Sequence, residues 1–413
     1  MVTWLFQLAL IVAACGCFGW LAQRVGQARV VGELAAGIVL GPAVLGAVDP
    51  NLQAALFGPA VSAGLTQLGE VGVIMLMFQI GLHLRVGADP RQAGRAASRA
   101  APPAVKVAAI GMLLPLAGGC AIGWLSHDTL APQVAALPYT LFCGVALSVS
   151  ALPVMVRIVT DTDLVGSPPS MLALSAAMLT DLAGWVMLAF VSAISVAKAD
   201  LSGAWHVVAG IAAFLAVSKL VVKFVVAPLA SEATRRDSPG ALLAVVVPYV
   251  MVSAWATTAI GVHSAFGALL AAVMLRGVPG LQAHWERQIE GFVNAVLLPV
   301  FFVYSGLHVS FESFDGATQW GWLVPFLAVA FVGKFGGSYL GARWSGLPRR
   351  DAALVGSLMN TRGLVELVVL SAGLQMNALS PGAYAVLLLV ALATTAMTTP
   401  FVHLWRRAAL RPA

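Results

Sequence analysis

Runs of apolar residues about 20 long recur from one end of the chain to the other, separated by short polar stretches. They show neither the strict alternation of a half-buried strand nor the single stripe of a surface helix. They are apolar all round, as helices crossing a ~30 Å hydrocarbon layer must be. The pattern predicts spans at 3–22, 30–47, 62–84, 102–125, 136–158, 168–197, 204–229, 240–260, 262–276, 291–309, 320–343, 351–374 and 381–404, about thirteen in all. Gly261 to His263 is a very short connection, and one long kinked helix over 240–276 is the alternative there.

Two spans are interrupted in the same way. GVALSVSALPVMV (Gly144–Val156) and GSLMNTRGLVELVV (Gly356–Val369) both set polar, Gly or Pro residues in mid-span. They are the fifth and twelfth spans, so each is the fifth of a six-span half if 204–229 is a linker helix. Matched interruptions in two halves, one entering the membrane opposite to the other, are the pattern of an inverted-repeat transporter with its binding site near the midplane. The prediction is an all-α polytopic membrane protein: a first repeat over 1–197, a linker helix at 204–229 and a second repeat over 240–404. For either span alone the plainer reading is a kink at Pro153, or a packed polar patch at Asn360–Arg362.

Composition agrees with the pattern. The 413 residues are 60% hydrophobic and 10% charged, against about 45–50% and about 25% in soluble domains. The net charge of +6 does not point to nucleic acid. The arginines sit in loops after odd-numbered spans: Arg24 and Arg29, Arg85 to Arg99, Arg157, Arg235 and Arg236, Arg276 and Arg287, Arg343 to Arg350, with Arg406 to Arg411 in the tail. Loops after even-numbered spans hold Lys198 among Asp49, Asp128, Asp200, Glu312 and Asp315. The positive-inside rule then places the C-terminus in the cytoplasm and the N-terminus outside a cell (inner) membrane. The longest hydrophilic stretch, Arg85 to Ala101, reads as a short basic loop. The chain stops soon after its last span, and no soluble regulatory domain is expected. The four cysteines lie within apolar runs and read as small hydrophobes.

The candidate chemistry is confined to a few ionisable residues inside spans, each costing roughly 2.5–3.5 kcal/mol at a bilayer centre on insertion scales unless paired or functional. Lys219, Lys223 and Lys106 are near helix ends and can snorkel. Glu33 opens VGELAAGIVLGP, where it is either a carboxylate at a helix start or a group on an ion path. Arg362 and Glu366, i and i+4 just after an interruption, read as a structural pair that Glu70 joins from the third span. Asp181 and Lys334 are single and central. Burial penalises the charged form of each. They are either a salt bridge holding two helices or the same pair made breakable, with Asp181 exchanging a proton for an alkali cation. Freed backbone carbonyls and the Ser148, Ser150, Thr180 and Thr361 hydroxyls are the candidates for completing an oxygen shell. The sequence holds no HExxH, P-loop or GxSxG, so neither an enzyme nor a cofactor is expected.

These residues resemble the monovalent cation:proton antiporter-2 family of the sodium/proton exchanger fold, in its potassium-efflux and plant-type branch. The likeness is carried by VGELAAGIVLGPAVLG (31–46), LGEVGVIMLMFQIGLHL (68–84), the stretch from Ala146 to Trp185, LLPVFFVYSGLHV (297–309), Lys334 and GSLMNTRGLVELVVL (356–370). It implies crossed broken helices and a homodimer. It also implies exchange of Na⁺ or K⁺ for H⁺ by elevator-like motion of a core domain against a dimerisation domain. Asp181 matches the family's ion-binding aspartate, and Lys334 a lysine found in many electrogenic members. Thr180 departs from the pattern, because many relatives carry a second acid, Asn or Gln there. The alternatives from other classes are a Na⁺-coupled symporter for an organic solute and a channel-like cation pore.

Overall fold

The computed structural model describes residues 3–57, 59–83, 96–196, 201–236, 238–307, 309 and 317–409, and every regular element among them is helical. In chain order these are α1 (Thr3–Arg24), α2 (Arg29–Leu40), α3 (Pro50–Phe57), α4 (Pro59–His83), α5 (Ala96–Leu130), α6 (Ala136–Ser148), α7 (Leu152–Asp161), α8 (Pro168–Val196), α9 (Leu201–Val221), α10 (Ala227–Arg235), α11 (Pro239–Ala259), α12 (Ser264–Leu275), α13 (Leu281–Trp285), α14 (Leu298–Leu307), α15 (Ala317–Phe331), α16 (Gly337–Trp344), α17 (Arg349–Met359), α18 (Leu364–Gln375) and α19 (Pro381–Ala409). π-Turns at Pro42–Gly46, Val222–Val226, Glu286–Glu290, Val293–Leu297 and Val332–Gly336 extend or join several of them. Nine helices among the described residues are long and apolar enough to cross a membrane. A tenth arises if Leu281–Glu290 and Val293–Leu307, bent by 43°, form one span.

All the expected spans fall on helices, and three local expectations are refined. The first half of the fifth span, α6, ends at Ser148, with Val149 and Ala151 extended before α7. The twelfth ends at Met359 and resumes at Leu364. Both are full breaks rather than kinks. Part of the expected basic loop is helical: Ala96 to Ala101 form the start of α5, while 84–95 lie outside the described residues. The short helix α3 was not anticipated.

The chain divides into two compact units, each drawn from several stretches of sequence. The first comprises Met1–Ala13, Ala54–Val86 and Ser192–Tyr304. Within it α11 and α12 are two helices of a tight hairpin, not one kinked helix. Gly261 turns the chain with φ +93°, a conformation that favours glycine. A Cβ at Gly267 would overlap the Ser253 carbonyl across the pair. Arg276 donates at 3.0 and 2.7 Å to the Gly81 carbonyl, placing a cation at the C-terminal end of α4. Glu70 is an exposed residue of α4 in this unit.

The second unit comprises Ala14–Gln53, Gly87–Val191 and Ser305–Ala413 and holds both broken helices. Small residues set its packing. A Cβ at Gly333 would lie 2.9 Å from Pro115 Cα, one at Gly337 2.7 Å from the Ile110 carbonyl, and one at Gly341 2.7 Å from Val107 Cα. This stripe lets the α15–α16 rod lie against α5, the close approach that glycine spacing permits between membrane helices. A core of Val154, Met155, Ile158, Ala173, Ala176, Ala177, Val355, Leu358 and Met359 fixes α7, α8 and α17 together.

Candidate functional site

The two breaks cross each other. The Ala151 amide donates to the Thr361 carbonyl at 3.0 Å, and the Ser150 hydroxyl donates to the Met359 carbonyl at 3.2 Å. Each break thus takes up backbone groups that the other leaves without helical partners, as buried peptide groups require. Gly363, at the N-cap of α18, lies against Val154, where a Cβ would come within 2.8 Å of its Cγ2.

The ends of the half-helices carry matching charges. The last carbonyls of α6 face two cations. Arg362 donates to Ala146 O at 2.9 Å and to Leu147 O at 2.6 Å, and Lys334 donates to Ser148 O. Positive groups at a helix C-terminus complement its macrodipole. Glu366 lies in the first turn of α18 and accepts from Arg362 at 2.7 Å, with both side chains essentially unexposed. The structural pair expected from i, i+4 spacing is present and also clamps the first break. Glu70 is an exposed residue of α4 in the first unit.

Asp181 is 2% exposed, and its carboxylate has no ion-pair partner among the described residues, the nearest donor to it being a backbone amide. That donor is the Leu152 amide, at the start of α7, and the Lys334 ammonium acts on the carboxylate through space. It is held there by α8, whose Gly184, nearly one turn on, would place a Cβ 2.8 Å from Val149 Cγ2. The Asp181–Lys334 salt bridge expected under both earlier readings is absent. The ammonium donates to the Ser148 carbonyl and acts on the carboxylate only through space. The reason lies in the helix containing Lys334. The π-turn Val332–Gly336 carries the lysine, fully buried, to the end of α6. Insertion of one residue of this kind is frequent at functional sites.

The expected hydroxyls all donate to backbone carbonyls. Ser148 donates to Val145 O at 2.9 Å, Thr180 to Ala177 O at 2.9 Å and Thr361 to Leu358 O at 2.6 Å, beside the Ser150 bond across the breaks. Each can therefore meet a ligand only as an oxygen acceptor, which suits a cation. Asn360 donates to Thr394 O at 3.3 Å and leaves its Oδ1 buried without a partner. Glu33 pairs with Arg29 at 2.7 Å, the helix-start role. Lys106, Lys219 and Lys223 are exposed, as snorkelling side chains are. No group of three or more His, Cys, Asp or Glu suited to a metal ion occurs among the described residues. Sequence reasoning missed Thr395, whose hydroxyl accepts from the Arg362 amide at 3.2 Å and lies 2.8 Å from the Arg362 carbonyl. Its sequence signal was one of two polar TT pairs, Thr394–Thr395 and Thr398–Thr399, inside a mostly apolar span.

Two mid-span breaks that cross, with a buried unpaired carboxylate in the same unit, define a polytopic helical membrane protein of the sodium/proton exchanger fold. The match of residues 9–405 to the family described as "Sodium/hydrogen exchanger, transmembrane" covers nearly the whole chain, which belongs to that family. The chain is 31% identical over 402 residues to "Na(+)/H(+) antiporter NhaS4" of Synechocystis sp., covering 96% of each. It is 31% identical over 404 residues to "Cation/H(+) antiporter 18" of Arabidopsis thaliana, covering 96% of this chain but only 48% of that protein, so it spans about half the plant protein's length. The solved structure of the sodium proton antiporter MjNhaP1 from Methanocaldococcus jannaschii shares the fold, with a TM-score of 0.57, 14% identity and coverage of 98% of this chain and 96% of that one.

Proposed function

We propose that this chain exchanges a monovalent cation, Na⁺ or K⁺, for H⁺ across a cell membrane, with Asp181 binding the proton and the cation in turn. The observation that carries the reading is the Asp181 carboxylate, buried and without an ion-pair partner. An ionised carboxylate in that position is costly until a proton or a cation neutralises it. Competition of the two for one group is the physical content of antiport. The names of the relatives, a Na(+)/H(+) antiporter and a cation/H(+) antiporter, agree with it.

Lys334 acts in this reading as a fixed cap on α6 and keeps its proton, so exchange is one for one. Movement of the second unit as an elevator, carrying the crossed breaks and Asp181 together, accords with all these residues belonging to one compact unit. A cytoplasmic C-terminus follows from the arginine distribution, and a homodimer and two inverted repeats from the family resemblance. The test is cation-driven proton movement in proteoliposomes with Na⁺, K⁺ and Li⁺, with and without a clamped membrane potential. Wild type acidifies or alkalinises the lumen at a rate independent of potential, and Asp181→Asn abolishes exchange. Wild-type rates in that variant sink the site, and a potential-dependent rate sinks the fixed lysine.

A further inference from the structure

The second break is held differently from the first. The first is held by groups that themselves belong to the cluster: Thr361, Lys334 and Arg362. The second is fastened to α19, an unbroken helix. One hydroxyl there, Thr395 Oγ1, accepts the Arg362 amide at 3.2 Å and shares its single proton between the Arg362 and Ala391 carbonyls, each at 2.8 Å. Both backbone groups of Arg362 therefore rest on one side chain, which is 3% exposed. Arg362 is also the residue whose side chain grips the end of α6 and Glu366. Thr394, one residue away and equally buried, sends its hydroxyl only to Val390 and Ala391 of its own helix.

We propose that Thr395 is a positioning residue for cation exchange. It fixes the Arg362 backbone, so that the guanidinium, the end of α6 and the Thr361–Ala151 link keep the register in which Asp181 is presented. The inference rests on the antiport reading and adds a residue to it. Lys334 acts electrostatically on Asp181, and Arg362 acts electrostatically on Lys334. A shift of the Arg362 backbone changes how well a cation competes with a proton at Asp181, with little effect on the ability of the unit to move.

The experiment measures cation-driven proton exchange in proteoliposomes for wild type, Thr395→Val, Thr395→Ser and Thr394→Val, each over a range of cation concentration and pH. Thr395→Val raises the cation KM about tenfold, the factor that corresponds to losing ~1.4 kcal/mol of hydrogen bonding. It shifts the pH profile of exchange and keeps kcat within about twofold. Thr395→Ser restores the KM and the profile, and Thr394→Val leaves both at wild-type values. Thr395→Ala takes the place of the valine variant if that one does not fold. Unchanged KM and pH profile in the hydroxyl-less variant overturn the proposal. So does a serine variant as impaired as the valine one, or a Thr394→Val variant impaired alike, because these report helix packing rather than the hydroxyl. Absence of cation-driven exchange in wild type defeats the antiport reading instead, and is seen before any variant is compared.

Discussion

Arg362→Met is the most severe perturbation of the crossing, and its cost can be worked from three bonds. The guanidinium holds Ala146 O at 2.9 Å, Leu147 O at 2.6 Å and Glu366 at 2.7 Å, all out of contact with solvent. Removing one partner of a buried ion pair costs about 3–5 kcal/mol, because the other charge is stranded. A stranded carbonyl adds about 1–3 kcal/mol unless the end of α6 relaxes. Glu366→Gln is milder. It keeps an acceptor for Arg362, whose charge still faces the α6 carbonyls, and costs about 1.5–3 kcal/mol. In Arg362→Met/Glu366→Gln no charge is stranded, so the double variant should be more stable than the sum of the singles predicts, by about 2 kcal/mol. Reversible unfolding in mixed detergent micelles, followed by far-ultraviolet circular dichroism, measures all four proteins. Additivity within about 0.5 kcal/mol refutes the reasoning, since the pair would then not be a coupled unit.

Lys334→Met uncaps the Ser148 carbonyl and should lower stability by about 1–3 kcal/mol while leaving potential-independent exchange measurable in proteoliposomes. Complete loss of exchange in folded protein would show that the lysine does more than cap. Ser150→Ala removes the bond to Met359 O and should cost about 1 kcal/mol in the same unfolding assay, with exchange retained. Gly306→Val drives a side chain into the Gly37 backbone and should abolish the monodisperse peak in size-exclusion chromatography. Gly16→Ala, which meets nothing within 4 Å, should leave that peak intact.

The breaks and the span positions were legible because they are compositional. A run of some 20 apolar residues, or a Pro, Gly and polar cluster within one, needs no tertiary knowledge to find. Asp181 was legible for the same reason, as a carboxylate where none is comfortable. The partner of Lys334 was not. Opposite charges on two central helices suggest a pair, but the π-turn at Val332–Gly336 adds a residue to the helix without changing its composition, and so redirects the lysine invisibly. Glu70 reads as interior from its place in a span but is exposed on α4, because composition does not say which way a residue faces. Thr395 was missed because a threonine in an apolar helix usually bonds its own i−4 carbonyl. Thr394 and Thr398 do so, and only the tertiary fold shows that Thr395 also reaches Arg362.

The departure at position 180 bears on charge movement through the groups that are now placed. Arg362 and Glu366 neutralise each other within the crossing. Lys334, held on a carbonyl, contributes one positive charge, and Asp181 is the one acid left to vary. With the carboxylate empty the cluster is neutral. With a proton on Asp181 it is positive by one, and with a monovalent cation on Asp181 it is again positive by one. Under the proposed antiport the cluster carries the same charge in both loaded states, so a membrane potential of ~100 mV, worth about 2.3 kcal/mol per charge, does equal work on the two legs and cancels over a cycle. A second acid at 180 would remove that equality by admitting a second proton. The buried Thr180 hydroxyl, already bonded to Ala177 O, admits none. In the proposed exchange, electrical silence follows from threonine at 180 together with a lysine that keeps its proton at the end of α6.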